Sequence, residues 1–170
     1  MVSPKSPQPA SAERRLAELG IELTPAPIPL GAYVESVQTG NLLYLSGVLP
    51  VIGHEPKFVG RLGREYNVEQ GREAARLATL NVLSVARDHL GSLDKVTRVV
   101  KLTVYLATEE SFLAQPKVAD GASELLRDVF GEDKLPVRMV LGVASLPLGV
   151  PVIVEVVFEV ATRRGDSVAS

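Results

Sequence analysis

At 170 residues the chain is long enough for one domain with a sizeable core, and without cysteine it has no disulfide framework, thiol nucleophile or thiolate metal site. Lys plus Arg number 18 and Asp plus Glu 20, and the resulting net charge of −2 removes the electrostatic case for a nucleic-acid binder. The only histidines, His54 and His89, are too few for a three-histidine zinc site, so neither a metal nor a cofactor is expected.

Residues 1–12 are Pro/Ser-rich and read as a disordered tail, with 13–161 as one domain and a polar, frayed tail over 162–170. Arg164-Gly165-Asp166 in that last stretch reads as a chance occurrence. Residues 1–10 hold no apolar core of a signal peptide. The longest apolar run, Val150 to Val160, is broken by Glu155 and Glu159 and is too short to cross a bilayer. A cytoplasmic location is the default expectation.

Ser11 is placed to cap a short helix through Leu19, with Gly20 just beyond it. Tyr33 to Gln38 and Leu42 to Ser46 are short extended runs around Thr39-Gly40-Asn41, a hairpin signal. Pro50 to Tyr66 is a glycine-bearing polar stretch, either a functional loop or a third hairpin. Asn67 and Gln70 resemble a capping box, and Ala74, Leu77, Ala78, Val82, Val85 and Ala86 follow at helical spacing until Gly91. Val96 to Ala107 alternates as a strand, with Arg98, Val100, Leu102, Val104 and Leu106 expected on one face. A second long helix runs from near Pro116 through Leu125, Leu126, Val129 and Phe130 to Gly131. Pro136 to Val143 and Val150 to Val160 are the last two strands.

This order predicts an α+β fold: one mixed sheet with both long helices packed on one face. The strands carry apolar residues on both faces, so burial of the second face by self-association is expected.

Arg138 is the most informative residue, because its run Val137 to Val143 is otherwise entirely apolar or glycine. A guanidinium there needs a hydrogen-bonding anion, since leaving one buried and unpaired costs about 3–5 kcal/mol. The anion is either a bound carboxylate, which the planar fork fits, or a structural partner such as Glu155 or Glu159. If the last two strands pair antiparallel across residues 145–149, Arg138 and Glu155 approach each other, and Glu155 becomes able to orient a water beside a bound anion. Ser46-Gly47 offers a hydroxyl and an approachable backbone N–H at a strand end, without the surroundings of a serine nucleophile. Tyr33 lies beside Gly31 and either lines a pocket or packs as a strand aromatic. Gly60-Arg61-Leu62-Gly63-Arg64 reads as a turn, His54 as a solvated loop residue, and His89 as a complement to a helix C-terminus.

Several segments together resemble the RidA/YjgF family. Gly31-Ala32-Tyr33, Gly40-Asn41 and Ser46-Gly47-Val48-Leu49-Pro50 resemble its G-P-Y-x(6)-G-N-x-x-x-x-S-G-Q-x-P. Lys101 to Leu106 resembles its central K-T-T-V-F-V, and Pro136-Val137-Arg138 with Val143-Ala144-Ser145-Leu146-Pro147 its P-A-R-x-x-x-x-V-A-x-L-P. The match runs over roughly residues 25–161, and the N-terminal helix and long first loop point to a divergent, longer branch. The resemblance implies chorismate-mutase-like subunits in a homotrimer around a barrel-like core, with ligand clefts between subunits. It further implies an imine/enamine deaminase that releases ammonia from small 2-imino carboxylates and gives 2-keto acids, though some family members are described as ribonucleases. On it, Arg138 holds the substrate carboxylate, backbone at Gly47 and Val140 contacts the ligand, and Tyr33 lines the cleft. The family's water-aligning glutamate falls at Ile153, Glu155 matches the second glutamate of I-E-I-E, and Val48 replaces the glutamine after Ser-Gly. A non-catalytic trimeric binder of small carboxylates is therefore the alternative, and RNA cleavage a weaker one.

Overall fold

The computed structural model describes residues 11–161. The proline-rich opening and the tail containing Arg164-Gly165-Asp166 lie outside the described residues. Helix α1, Ala12–Glu18, begins one residue inside the stretch assigned above to the N-terminal tail: Ser11 Oγ accepts from the Arg14 N–H at 3.1 Å, and Ala12 and Leu16 are buried. Glu13 pins α1 down, receiving Arg87 Nη2 at 2.7 Å and the Leu93 N–H at 2.9 Å.

Strands β1 (Ser36–Thr39) and β2 (Leu42–Leu45) form the expected hairpin, turned at Gly40, which sits at φ 56° where a side chain would be strained. Tyr33 precedes the strand rather than belonging to it. The ambiguous stretch after Pro50 contains a small second hairpin, β3 (Val51–Ile52) with β4 (Glu55–Pro56). Helix α2, Val68–Leu90, starts on a complete Asn67/Gln70 capping box and stops at Gly91, φ 78°. Strand β5 (Val96–Ala107) leads through helix α3 (Gln115–Phe130) to β6 (Val137–Val143), and β7 (Val152–Val160) closes the described chain.

The main sheet has the order β1-β2-β7-β5-β6, antiparallel throughout except for β5 and β6. That parallel pair is joined through α3, the long crossover that parallel strands require. Helices α2 and α3 pack together over one face of the sheet, against Leu43, Val99, Leu102, Val104, Leu106, Val154, Val156 and Phe158.

Two expectations need correction. The last two strands do not pair: β5 lies between β6 and β7, because the crossover through α3 returns the chain to the far side of β5. The alternation of β5 also breaks. Its register with β7 shifts between Val96 and Arg98 and again between Val99 and Lys101, so buried Val99, not Val100, shares the helix-covered face with Leu102.

The other face carries Val37, Tyr44, Tyr105, Ile153, Glu155, Val157, Val137, Met139 and Leu141, by register and alternation. Neither long helix covers it. On the β6 edge Val137, Met139 and Leu141 are 71%, 52% and 42% exposed.

Candidate functional site

Arg138 stands on the edge strand opposite Leu102, so its side chain leaves the sheet toward the helices. There Nη1 donates to Asp120 Oδ1 at 2.7 Å and to Ser123 Oγ at 3.0 Å, both on α3. The expected intrachain partners, Glu155 and Glu159, are not the ones it meets: they point to the opposite face of the sheet, beyond β5. The side chain keeps 29% of its surface exposed. Asp120 and Ser123 use one nitrogen, while Nε and Nη2 make no hydrogen bond among the described residues. The apolar run that suggested burial is an exposed edge, and Arg138 is oriented by α3 with part of its fork open to solvent.

A small cleft, open on one side, lies across the sheet from Arg138. One wall is the stretch from Pro27 to Tyr33, the floor is Gly47-Val48-Leu49, and the far wall is Val51, Gly53 and His54 from the small hairpin. Tyr33 Oη receives the Leu30 N–H at 3.1 Å, which folds this arm over the mouth. Glu35 reaches into the same cleft, and Ser46 Oγ donates to its Oε2 at 3.0 Å. The backbones of Glu35 and Ser46 also pair, the Ser46 N–H donating to the Glu35 carbonyl at 2.9 Å. Gly47 has to be small, since a Cβ there would lie 2.9 Å from Ile153 Cγ2. That contact puts Ile153 under the cleft floor.

Tyr33, Ser46 and Gly47 are thus gathered at one place. Arg138 and Val140, on β6, are not part of it. Three strand steps separate β2 from β6, about 14 Å at the usual spacing. Val140 faces the helices and is half-buried against the core. Glu155 lies on the open face, where Tyr105 Oη donates to its Oε2 at 3.1 Å. Burial raises the Tyr105 phenol above its ordinary pKa, and the hydrogen bond and charge of Glu155 push the same way. Among the described residues no group of three His, Asp or Glu side chains is arranged to hold a metal ion. No helix there is long and apolar enough to cross a membrane.

Residues 13–160 match the family described as "YjgF/chorismate_mutase-like, putative endoribonuclease". The chain belongs to the YjgF/RidA family. A Trypanosoma cruzi relative called Protein TCP17 is 42% identical over 145 residues, covering 85% of this chain and 91% of that protein. A Dermatophagoides farinae relative named 2-iminobutanoate/2-iminopropanoate deaminase is 30% identical, covering 76% and 87%. The crystal structure of a putative endoribonuclease from Shewanella oneidensis superposes with a TM-score of 0.85 at 32% identity, over 89% of this chain and all of that one. The mixed sheet with both long helices on one face is the chorismate-mutase-like arrangement of this family.

Within this YjgF/RidA chain the sequence reading did not mark Glu35 or the Asp120/Ser123 pair as site residues, while His54 is exposed in a turn, as expected, at the edge of the cleft. Asp120 and Ser123 were legible as an i, i+3 polar pair on a helix that feeds the arginine's strand. Glu35 carried no such signal, being one polar residue beside an alternating run. His89, read as a dipole complement, is instead bracketed by Ser36 Oγ and Gln38 Oε1 at 3.1 Å each, tying α2 to β1.

Proposed function

We propose that the chain hydrolyses small 2-imino carboxylates to 2-keto acids and ammonia, in clefts between subunits of a cyclic trimer in the cytoplasm. The observation that carries this reading is Arg138, pre-oriented by Asp120 and Ser123 with two guanidinium nitrogens still to be used. A planar fork held in that way suits a carboxylate, which accepts two parallel hydrogen bonds. The imine carbon is already electrophilic, so holding the carboxylate and aiming a water at that carbon supplies much of what the reaction needs. The deaminase name of the Dermatophagoides relative agrees with this substrate class. Exposed apolar residues on the Arg138 edge, and a cleft at the other edge, support assembly of one site from two copies.

The test is release of 2-ketobutyrate from 2-iminobutanoate by the purified protein. Removing a charge-assisted clamp worth about 1.5–3 kcal/mol should lower kcat/KM of Arg138→Ala roughly ten- to hundredfold. A wild-type rate equal to buffer, with Arg138→Ala indistinguishable from it, defeats the enzymatic reading.

One observation favours a second reading, a trimer that binds 2-keto acids without turning them over. Glu155, the carboxylate on the strand where the resemblance puts the family's glutamate at Ile153, is engaged by Tyr105. Calorimetric titration with 2-ketobutyrate separates the two: binding that depends on Arg138, with no turnover, selects the binder. RNA cleavage has less support, since the net charge is −2 and the two histidines serve different places, one in the cleft and one bridging α2 to β1.

A further inference from the structure

We propose that Glu35, held by Ser46 beside Gly47, is the carboxylate that activates water in this chain. The inference rests on the deaminase reading and adds to it a group that activates water. Glu35 and Ile153 lie on the same open face of the sheet and border the same residue. Glu35 precedes Val37 by two positions and Ser46 follows Tyr44 by two, so both share the face set by the Val37–Tyr44 pair. Ile153 touches Gly47 from that face, its Cγ2 falling 2.9 Å from where a Gly47 Cβ would stand. Glu35 thus lines the cleft above the glycine whose underside Ile153 fills.

The geometry also fits the task. Ser46 Oγ donates to Glu35 Oε2 at 3.0 Å, which fixes the carboxylate plane and leaves Oε1 without a hydrogen bond among the described residues. Around it the cleft is largely apolar, with Pro27, Ile28, Val48, Leu49 and Val51 on its surfaces. Glu155, the other glutamate available to β7, has one oxygen committed to Tyr105 and does not line the cleft.

In the reaction the water oxygen bonds to the imine carbon while the C=N π pair moves to nitrogen. Glu35 takes the water proton and passes it to that nitrogen. It then takes the hydroxyl proton of the carbinolamine, the C=O forms, and the C–N bond breaks as the amine receives the proton and leaves as ammonia. No further reactant is required.

Turnover of 2-iminobutanoate and calorimetric binding of 2-ketobutyrate are measured on wild type, Glu35→Gln, Ser46→Ala and Ser46→Thr. A general base contributes about 10²–10⁴-fold, so kcat of Glu35→Gln should fall at least about a hundredfold, while KM and 2-ketobutyrate affinity stay within about twofold. Ser46 acts through Glu35 as a positioning residue: Ser46→Ala should lose roughly tenfold in kcat, and Ser46→Thr, which keeps the donor, should recover most of it. Adding Ile153→Glu to Glu35→Gln should restore part of the rate. An active wild type with Glu35→Gln within about threefold of it overturns the assignment and leaves the deaminase reading standing. Loss of 2-ketobutyrate affinity in step with kcat also overturns it, since that marks a structural or binding role. A wild type with no turnover overturns the deaminase reading and, with it, this one.

Discussion

Tyr105 and Glu155 meet on the open face of the sheet, where the phenol donates to Oε2 at 3.1 Å. Because burial and the neighbouring carboxylate both raise the Tyr105 pKa, the folded chain keeps this proton at a pH where the unfolded chain has released it. The sign follows from linkage: the native state binds more protons, so stability is fully present below the unfolded value of about 10 and declines as pH rises through the folded one. Urea midpoints measured from neutral pH upward should therefore fall more steeply above about pH 10 for wild type than for Tyr105→Phe. Parallel pH profiles would remove the coupling. The same pair explains a limit of the sequence reading. Glu155 was legible as a carboxylate on an apolar strand, but its partner depends on which strand lies alongside. Arg138 was legible because a guanidinium among Val, Met and Leu demands an explanation. Glu35 gained meaning only through the register that sets it against Ser46.

Helix α2 governs the cleft through a buried polar contact. Asn81 is almost wholly enclosed, and its Nδ2 donates to the carbonyls of Leu49 and Val51, each at 2.9 Å. Both carbonyls belong to the chain entering β3, and both residues line the cleft. Asn81→Ala would take its donor from both carbonyls, leaving Leu49 with only the Val51 N–H at 3.0 Å, at a cost of about 1–3 kcal/mol in folding stability. It should also weaken 2-ketobutyrate binding, because the floor and far wall lose their tether to the helix. Urea denaturation and calorimetry check the two effects; a stability change under about 0.5 kcal/mol would show that the carbonyls find other partners. At the scale of elements the sequence was most informative where chemistry is local. Asn67-Gln70 and Gly91 mark the ends of α2 because caps act within a turn. Partnership between β6 and β5 is not local. A short link from β6 to β7 reads as a hairpin, and only the crossover through α3 places β6 beside β5 instead. The two shifts of register in β5 have no signature in the alternation of its residues.

For the whole molecule, the candidate site is divided between opposite parts of the sheet. Glu35, Ser46 and Gly47 lie at the β1–β2 side, Arg138 lies on the β6 edge, and β7 and β5 run between them. A ligand with its carboxylate on Arg138 and its imine carbon near Glu35 would have to cover about 14 Å within one subunit, far more than a four-carbon acid spans. In the proposed cyclic trimer the exposed β6 edge of one subunit, with Val137, Met139 and Leu141, would be set against the cleft side of the next and so shorten that distance. This makes a prediction about mixtures. Arg138→Ala and Glu35→Gln should each keep at most about a tenth of the wild-type rate alone. An Arg138→Ala subunit still supplies Glu35, and a Glu35→Gln subunit still supplies Arg138. Co-expressed in equal amounts with random assembly into cyclic trimers, they should restore about a quarter of the wild-type rate, because one interface in four joins two intact halves. Sites contained within a single subunit would give no recovery at any mixing ratio. Recovery that vanishes when Val137→Asp and Met139→Asp are added to both chains would tie the restored activity to the β6 edge, since charges placed there should drive the copies apart.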